Sequence, residues 1–495
     1  MRSDFGFSIF DFRIRRWIKR SLFTFATVLG VCSATSSGAS EQAKTLVVKA
    51  GKILTVTNGV IENGVMVIRN GKIAAIGKQG EIAIPADAEI LDVSDRWIMP
   101  GQIDLHAHIG NNSGLHDYVH TLNPEFRVWD YIEPEAPQVQ DSLASGVTTI
   151  MTIPGSGGNH SGFGVIWKFA GGSRDELIVR KLGGMKIAQA YNPERRAGDI
   201  GLSRMGMWWM LREMFNRAKS YDAEWTAFEQ SKQRRADQSV RLASTSIPAI
   251  DTAKSKNANP KSKAQQPKAP LFRAGLENMR AVFQKKTPVF VHTAGGRDVF
   301  QTMHMFHDVY GLPVVVSHGE FGAFRIAQEA AKRDIPCNIG PRLYDFTGQV
   351  YDRKFYSIPG EYVRAGVQNV SLNTDCPVIP GEELFLQGTL SIRLGMDEDL
   401  ALRALTINPA KAIGIADRVG SLEVGKDADF VIKKGSLFDP RNPIEKVIIN
   451  GRTVYVHGQR RKGYSNSLKA MQAMIDDDGC MDQHPDDGED EGHGH

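Results

Sequence analysis

Short apolar runs separated by turn residues mark both ends of the chain. Residues 45–76 contain three Asn-Gly pairs between apolar runs, which is typical of β-hairpins because Asn-Gly favours tight hairpin turns. A similar β-rich pattern returns at 428–432 and 447–455. We therefore predict that segments 41–98 and 416–465 fold together into a small β-sandwich.

The middle of the chain has a different pattern, in which apolar strands alternate with stretches long enough for helices. Strands are predicted at 147–153, 288–292, 313–318 and 369–375, and near Ile103, Val165, Met185 and Cys337. Such alternation indicates a parallel sheet, and eight strands favour a closed (β/α)8 barrel of the TIM type. The predicted fold class is thus α/β, with the barrel at 99–415.

Two polar segments depart from this pattern. Residues 221–270 form a polar insertion, and we interpret its lysine-rich part at 255–270 as a disordered, solvated loop. Contact with an anionic surface is the alternative for this part. Residues 466–495 form an acidic tail with three histidines, for which a solvated tail and a metal-capturing tail are the two interpretations.

The positive charge of the chain is concentrated at its start. The net charge is +4, with 60 Lys and Arg against 56 Asp and Glu. Residues 1–40 hold six of the basic and two of the acidic residues, which leaves the rest of the chain neutral. A neutral chain lacks the basic surface on which nucleic-acid binding depends, so no nucleic-acid partner is expected.

Residues 1–40 have the pattern of a signal peptide, with a basic region that ends at Arg20 and an apolar run at 22–31. The apolar run is too short to span a bilayer comfortably, so no stable membrane span is expected once the signal is removed. We predict export to the periplasm. The pair Arg15-Arg16 loosely resembles a twin-arginine signal, which would mean transport of the folded protein.

His106 and His108 lie at the end of a predicted strand. Since alternate side chains of a strand share a face, both imidazoles point to one side, while Leu105 and Ala107 point to the surrounding helices. Two imidazoles on one side of a strand end form half of a metal site. The pair also occurs by chance, so other residues must support it.

His292 and His318 each end an apolar strand, where a barrel has its catalytic rim. Asp375 follows the last predicted strand, and an ionised carboxylate is costly to bury there unless it is paired or bound to metal. Structural histidines and a helix N-cap aspartate are the alternatives. Histidines on three strands are hard to explain by packing, which favours a metal site.

These positions resemble the amidohydrolase superfamily. The segments 406–412 (Thr-Ile-Asn-Pro-Ala-Lys-Ala) and 420–430 (Gly-Ser-Leu-Glu-Val-Gly-Lys-Asp-Ala-Asp-Phe) are similar to its C-terminal blocks, and the resemblance covers nearly all of 45–460. Within the superfamily the chain looks closest to the imidazolonepropionase-like and prolidase-like group. The resemblance implies a metal-dependent hydrolase with a barrel and a composite β-sandwich.

The resemblance also implies a set of metal ligands, namely His106, His108, Lys186, His292, His318 and Asp375. Binuclear members bridge two metals with a carbamylated lysine on the fourth strand, and Lys186 occupies that position. Lys168 on the preceding strand is a rival, and a site with one metal and neither lysine is the third alternative. One or two Zn²⁺ ions per chain are favoured by imidazole ligation, although iron, manganese or cobalt would also fit.

The activity implied by the resemblance is hydrolysis of a C–N bond in an amide, a cyclic amide or an Xaa-Pro-type dipeptide. A metal-activated water would attack, and Asp375 would act as the proton shuttle. Three rim residues, His160, Arg195 and Arg342, are candidate substrate contacts. Tyr191 departs from a family block in which an acidic residue is expected, so the substrate pocket differs there.

Two other functions stay open at this point. Lactonase or phosphotriesterase-type hydrolysis would use the same metal ligands, since function resides in the loops of a barrel. An inactive barrel could instead serve as a periplasmic binding protein. A deaminase is disfavoured because Thr293 and Ala294 follow His292, where a histidine and glutamate pair would be needed. The expected partner is a small molecule or dipeptide, and an oligomer is compatible with the sequence.

Overall fold

The structure is a computed structural model that describes residues 45–110, 115, 117, 120–170, 174–189, 191–196, 203–245, 268–345 and 355–459. The predicted signal peptide at 1–40 and the acidic tail at 466–495 lie outside these residues. Within the described ranges, no helix combines the length and the apolar character that crossing a membrane requires.

Both ends of the chain contribute strands to one seven-stranded sheet. Its strands are β1 (Leu46–Leu54), β2 (Val60–Arg69), β3 (Lys72–Lys78), β4 (Glu89–Pro100), β15 (Phe430–Lys433), β16 (Ile444–Ile449) and β17 (Arg452–Val456). The strand order is β17-β16-β15-β4-β1-β2-β3, so β4 joins the two ends, with β1 parallel on one side and β15 antiparallel on the other. The two segments predicted to fold together, 41–98 and 416–465, thus share one sheet. That they form a two-layered sandwich stays a prediction.

Alternation along β2 explains how this sheet is buried on both faces. Met66 and Ile68 pack in one apolar cluster with Phe430, whereas Val65 and Val67 pack in another on the opposite face. Successive residues of a strand point to opposite faces, so a run of four apolar residues fits a strand covered on both sides.

The middle of the chain forms an eight-stranded sheet. Its strands are β5 (Gln102–Ala107), β6 (Val147–Thr152), β7 (His160–Lys168), β8 (Ile178–Ala188), β9 (Val289–Thr293), β10 (Val314–His318), β11 (Cys337–Ile339) and β14 (Val370–Leu372). All eight fall where the apolar runs predict them. The order β14-β11-β10-β9-β8-β7-β6-β5 follows the chain, and a bridge between Ala107 and Cys376 brings the two outer strands together. The sheet is therefore a nearly closed, TIM-like barrel.

One strand differs from the predicted parallel arrangement. β7 runs antiparallel to both β6 and β8, whereas all other neighbours in the barrel are parallel. The connection from β6 to β7 covers only residues 153–159, which is too short for the crossover that a parallel pair needs. As a result, His160 at the start of β7 lies at the catalytic rim and Lys168 at its end lies at the opposite face.

The helices flank the barrel strands. In chain order they are α1 (Pro137–Ala144), α2 (Arg174–Leu177), α3 (Tyr191–Arg196), α4 (Arg204–Thr245), α5 (Ala274–Glu277), α6 (Met279–Phe283), α7 (Gly296–Thr302), α8 (Ala327–Lys332), α9 (Ile358–Arg364), α10 (Leu384–Arg393), α11 (Glu398–Leu405) and α12 (Ile407–Ala412). Shorter elements are a π-helix at Met303–Val309, 3-10 turns at Val128–Tyr131, Ala323–Ile326 and Gly381–Glu383, and the paired strands β12 (Tyr344–Asp345) and β13 (Tyr356–Ser357).

The polar insertion at 221–270 begins inside a helix. α4 is 42 residues long and includes residues 221–245 of the insertion. Its first half packs on the core through Leu211, Phe215 and Tyr221, which recur at helical spacing. Strong helix formers continue the helix beyond that contact. Of the predicted loop at 255–270, residues 255–267 lie outside the described residues.

A single glycine separates the seven-stranded sheet from the barrel. β4 ends at Pro100 and β5 begins at Gln102, so Gly101 alone joins the two strands. A Cβ atom at Gly101 would lie 2.1 Å from Oγ1 of Thr148, so a larger residue would displace the second barrel strand. The strand that carries His106 is thereby fixed directly to the terminal sheet.

Candidate metal centre

Six side chains that the sequence singles out meet at the carboxyl ends of the barrel strands. Lys186 Nζ lies 2.9 Å from His106 Nε2. The Nε2 atoms of His106 and His108 each lie 3.2 Å from Asp375 Oδ1. The centroid of the His318 ring lies 4.2 Å from the centroid of the His292 ring and 4.4 Å from that of the His106 ring. The predicted ligand residues are therefore brought together.

Two groups of potential ligand atoms overlap at His106. One group is His106, His292 and His318, and the other is His106, His108 and Asp375. Within each group the ligand atoms lie within 4.8 Å of one another. Lys186 contacts His106, the residue that both groups share. Either group could hold a metal ion.

Protein groups hold the Nδ1 atom of every one of the four histidines. His108 Nδ1 lies 2.8 Å from the carbonyl oxygen of Ile153, and His318 Nδ1 lies 2.5 Å from that of Gly340. His106 Nδ1 lies 2.7 Å from Ser317 Oγ, and His292 Nδ1 lies 3.0 Å from Ser156 Oγ. A carbonyl accepts only, so His108 and His318 donate from Nδ1 and keep a lone pair on Nε2. Metal-binding histidines are commonly oriented in this way.

His318 and Asp375 both have left-handed backbone conformations, with φ of 74° and 50°. Such conformations cost free energy in residues other than glycine and persist where the surrounding structure enforces them. Ser317 points into the barrel toward His106, so strict alternation would direct His318 outward. The left-handed turn instead directs the imidazole of His318 toward those of His106 and His292.

Burial keeps the imidazoles of His106, His292 and His318 neutral. It lowers the pKa of His106 and His292 well below the ordinary value, and the neighbouring Lys186 ammonium lowers both further. Burial also lowers the pKa of His318. Neutral imidazole is the form that binds a metal ion, because the coordinating nitrogen must carry a lone pair.

The pKa values of Lys186 and Asp375 are both lowered, which suits a cation site. Burial lowers the pKa of Lys186 to about 7, so its neutral amine is well populated near neutral pH. Burial alone would raise the pKa of Asp375, but His318 and His108 outweigh that effect, and the pKa falls below its ordinary value. An ionised carboxylate and a neutral amine therefore lie beside the neutral imidazoles of His106, His292 and His318.

The donor set fits a divalent metal ion. His318 Nε2 is buried and makes no hydrogen bond to any described residue, although its Nδ1 is held in place. A buried polar atom without a partner is costly, so an unpaired imidazole nitrogen beside other metal-binding side chains fits a metal ligand. Imidazole and carboxylate donors together suit zinc and several other transition metals.

Lys168 is not part of this centre, which corrects one of the alternatives drawn from the sequence. Its Nζ binds Asp427 at 2.7 Å, Asp429 at 2.6 Å and Asn450 at 2.8 Å. All three partners belong to the C-terminal part of the chain and lie at the face of the barrel opposite the catalytic rim. The reversed direction of β7 places Lys168 there, so this lysine is a structural ion-pair partner that joins the barrel to the terminal sheet.

The three candidate substrate contacts have different surroundings. His160 is the first residue of β7 and fully buried, with no hydrogen bond to either ring nitrogen among the described residues. Burial lowers its pKa to about 3. The guanidinium of Arg342 lies 4.6 Å above the Phe321 ring, after the seventh barrel strand. The side chain of Arg195 lies outside the described residues, as does that of Tyr191.

Sequence reasoning missed two buried carboxyl groups beside the ligands. Asp104 accepts hydrogen bonds from the Thr374 hydroxyl at 2.6 Å and the His106 backbone N–H at 3.0 Å, which ties β5 to the residue before Asp375. Burial raises the pKa of Asp104 to about 7. Burial likewise raises the pKa of Glu320 to about 7, and the charge of Asp375 adds to that shift. Asp104 could have been found, because it shares the inward face of β5 with His106.

Comparison with known proteins gives one family and several relatives. The sequence profile of the Amidohydrolase family matches residues 359–454. The imidazolonepropionase of Brucella anthropi is 24% identical over 430 residues, which cover 79% of this chain and 90% of that protein. A solved structure of an amidohydrolase from Thermotoga maritima MSB8 is 28% identical, with a TM-score of 0.67, over 83% of this chain and 100% of that one.

A further relative is much longer than the part it shares with this chain. The protein described as amidohydrolase tasK from Hapsidospora irregularis is 23% identical over 396 residues. These residues cover 74% of this chain but 37% of that protein. The shared part therefore spans little more than a third of the tasK protein.

Proposed function

Because the chain belongs to the amidohydrolase superfamily and is a metal-dependent hydrolase of C–N bonds, we propose that it cleaves an amide, a cyclic amide or an Xaa-Pro-type dipeptide. The similarity to an imidazolonepropionase supports a cyclic or short amide as the substrate class. The proposed ligands are His106, His108, Lys186, His292, His318 and Asp375.

One observation carries this proposal. Four imidazoles meet at the carboxyl ends of the barrel strands, and each has its Nδ1 atom held by a protein group so that Nε2 faces its neighbours. Packing alone gives no reason to orient four buried rings toward one another. A shared cation does, because each Nε2 then finds a partner.

The chemistry divides between the bound metal and the residues of the chain. When bound, a divalent cation acidifies a water molecule and polarises the substrate carbonyl. Asp375, ionised at neutral pH, accepts the proton of the attacking water and passes it to the departing nitrogen. The proton therefore ends on the amine, which leaves as a neutral product.

Lys186 decides between one ion and two. The neutral amine of Lys186 can add carbon dioxide and lose a proton, which converts it to a carbamate with two oxygen donors. Its position beside His106, the residue shared by both ligand groups, supports such a bridge. We propose a binuclear zinc site with carbamylated Lys186.

The first test is metal content per chain in protein purified without chelators, for the wild type and Lys186→Ala. Lys332→Ala, which removes an exposed lysine, is the matched control. We expect about two metal ions in the wild type and control and one or none in Lys186→Ala. One ion in all three proteins would contradict the bridge.

The second test is a screen of dipeptides, N-acyl amino acids and cyclic amides with the same three proteins. Hydrolysis by the wild type and the control, lost in Lys186→Ala, is the expected result. Metal binding without any C–N hydrolysis, together with turnover of lactones or phosphotriesters, would contradict the proposed bond class.

We also propose that the protein is exported to the periplasm. The proposal rests on the basic, apolar and small-residue pattern of residues 1–40. N-terminal sequencing of the protein from a periplasmic fraction tests it. A mature chain that still begins at Met1 would contradict it.

A further inference from the structure

A groove beside the barrel has features that the proposed metal centre does not use. It has a volume of about 540 Å³ and lies between α4, α5 and the segment 122–125. Leu122 in its wall forms a β-bridge with His160, the first residue of β7, so the groove lies next to the catalytic rim. None of the proposed ligands is among the described residues that line it. The groove is therefore a separate surface of the molecule.

Large apolar side chains are exposed in and around this groove. Trp209 lines it and is 65% exposed, and Met205, one turn earlier on the same face of α4, is 81% exposed. Leu271 and Phe272 directly precede Arg273, which also lines the groove, and they are 76% and 62% exposed. Single exposed apolar residues are ordinary, but four beside one groove are typical of a surface that binds another protein. We call Met205, Trp209, Leu271 and Phe272 the apolar patch.

Two acidic and two basic side chains share the same groove. Glu125, Glu213, Arg217 and Arg273 line it, and all four are exposed. None of the four forms an ion pair with another described residue. Both signs of charge are therefore presented to a partner.

This combination of charges favours a second copy of the chain over other partners. In a two-fold symmetric dimer both subunits use the same surface, so that surface must be complementary to itself. A groove with both signs of charge meets this condition, because each glutamate can face an arginine of the other subunit. A partner of one charge sign would instead be repelled by half of the groove. Trp, Phe, Met and Arg are also the residue types that are enriched at protein interfaces.

We propose that the groove and the apolar patch form the interface of a two-fold symmetric homodimer. Trp209 and Phe272 of each subunit enter the groove of the other, and their burial supplies most of the binding free energy. The glutamates of each groove pair with the arginines of the partner's groove, which fixes the orientation of the two subunits.

The first test reverses charges and measures mass in solution by analytical ultracentrifugation of the whole protein. The wild type should have twice the mass of one chain. Arg217→Glu with Arg273→Glu makes the charged residues of the groove all acidic, and Glu125→Arg with Glu213→Arg makes them all basic. Each variant alone should be monomeric, because like charges then face each other, whereas an equimolar mixture of the two should form a heterodimer.

Lys219→Glu with Lys232→Glu is the matched control, since both lysines are exposed on α4 and neither lines the groove. It changes the net charge by as much as the acidic variant does and should stay dimeric. A monomeric wild type, dimers of both charge variants on their own, or a mixture that stays monomeric would overturn the inference.

The second test replaces the apolar side chains without changing any charge. Trp209→Gln with Phe272→Gln should raise the dissociation constant of the dimer about tenfold or more, since aromatic residues at the centre of an interface contribute most to binding. Val240→Gln, at another exposed apolar position of α4, should leave the constant unchanged. Thermal melting identifies any loss of fold, which is not expected because all three side chains are exposed in the single chain. An unchanged dissociation constant in the double variant would also overturn the inference.

Discussion

The Nδ1 atom of His106 and the Oγ atom of Ser317 lie 2.7 Å apart inside the barrel, although the two residues belong to its first and sixth strands. This bond fixes the rotation of the imidazole whose Nε2 faces Lys186. We expect Ser317→Ala to weaken metal binding about 10- to 100-fold, as is typical when an orienting partner is removed. Competition with a chromophoric chelator measures the affinity.

Ser391→Ala is the control for this variant. Ser391 is also buried, but its hydroxyl donates to the carbonyl of Gln387 within α10. Its metal affinity should equal that of the wild type. If Ser317→Ala also binds metal as the wild type does, the orientation of His106 does not depend on this hydroxyl.

Replacement of Asp375 by asparagine should lower kcat by about 10²- to 10⁴-fold, because an amide cannot accept the proton of the attacking water. At least one metal ion should remain bound through His106, His292 and His318. Steady-state kinetics and metal analysis on one preparation measure both effects. Asp334→Asn is a matched control, since Asp334 is exposed and has a similar φ of 52°. Full activity in Asp375→Asn would remove it as the proton shuttle.

Lys168→Met should destabilise the fold without changing metal content. The substitution leaves Asp429 buried without the cation that it binds, while Asp427 keeps Lys72 and Arg418. Breaking a buried ion pair in this way typically costs about 3–5 kcal/mol. Urea unfolding followed by tryptophan fluorescence gives the change in the free energy of unfolding. Lys332→Met, at an exposed ion pair, should change it by less than about 1 kcal/mol. A loss of metal in Lys168→Met with no loss of stability would mean that Lys168 belongs to the metal centre and is not a structural ion-pair partner.

The stabilising effect of Asp427 should disappear in acid. Burial opposes its ionisation, but the Lys168 ammonium prevails and lowers the pKa of Asp427 to about 2. A depressed carboxylate pKa stabilises the fold above the unfolded pKa of about 4, and this stabilisation is lost as pH falls through about 2.

The difference in unfolding free energy between the wild type and Asp427→Asn should therefore be largest above pH 5 and shrink steadily toward pH 2. Unfolding in urea at pH steps across this range gives the difference. A constant difference at all pH values would mean that the charge of Asp427 is not what stabilises the fold.

Removal of the Arg342 side chain tests whether it contacts substrate. Arg342→Ala deletes the guanidinium above Phe321 but keeps the backbone N–H that holds Glu320. We expect KM for substrates with a carboxylate to rise about tenfold, while kcat changes little. Arg364→Ala, at an exposed ion pair, should leave KM unchanged. The same KM in Arg342→Ala would exclude the contact.

The sequence predicts most of the barrel because strand periodicity and burial coincide there. His106 and His108 flank Ala107, and simple alternation already directs both imidazoles inward. The fully buried apolar runs before His292 and His318 likewise locate two strand ends. His106, His108, His292, His318 and Asp375 could therefore be chosen from polar residues at predicted strand ends, whereas Lys186 was chosen only through the resemblance to the amidohydrolase superfamily.

The alternation of inward and outward side chains no longer predicts the position of a residue where the backbone is left-handed or where a strand reverses its direction. His318 faces inward only because of its left-handed φ, which no pattern of polar and apolar residues encodes. Lys168 and Lys186 both lie on apolar strands. Because β7 runs in the reverse direction, Lys168 lies at the end of the barrel opposite the catalytic rim, whereas Lys186 lies at the rim. The short connections at 153–159 and 169–177, on either side of β7, were the available signals of that reversal. Partners such as Ser317 depend on contacts between distant strands, which a single sequence does not report.

The position of β4 in its sheet has a consequence for the order of events during synthesis. β4 lies between β1 and β15, and the strand pair β4–β15 joins residues more than three hundred positions apart. Until residues 430–433 leave the ribosome, one edge of β4 has no partner, and the strand that continues through Gly101 to His106 is anchored on one side only. Contacts over such separations form late in folding. Assembly of the metal site is therefore expected to finish only after translation has nearly ended.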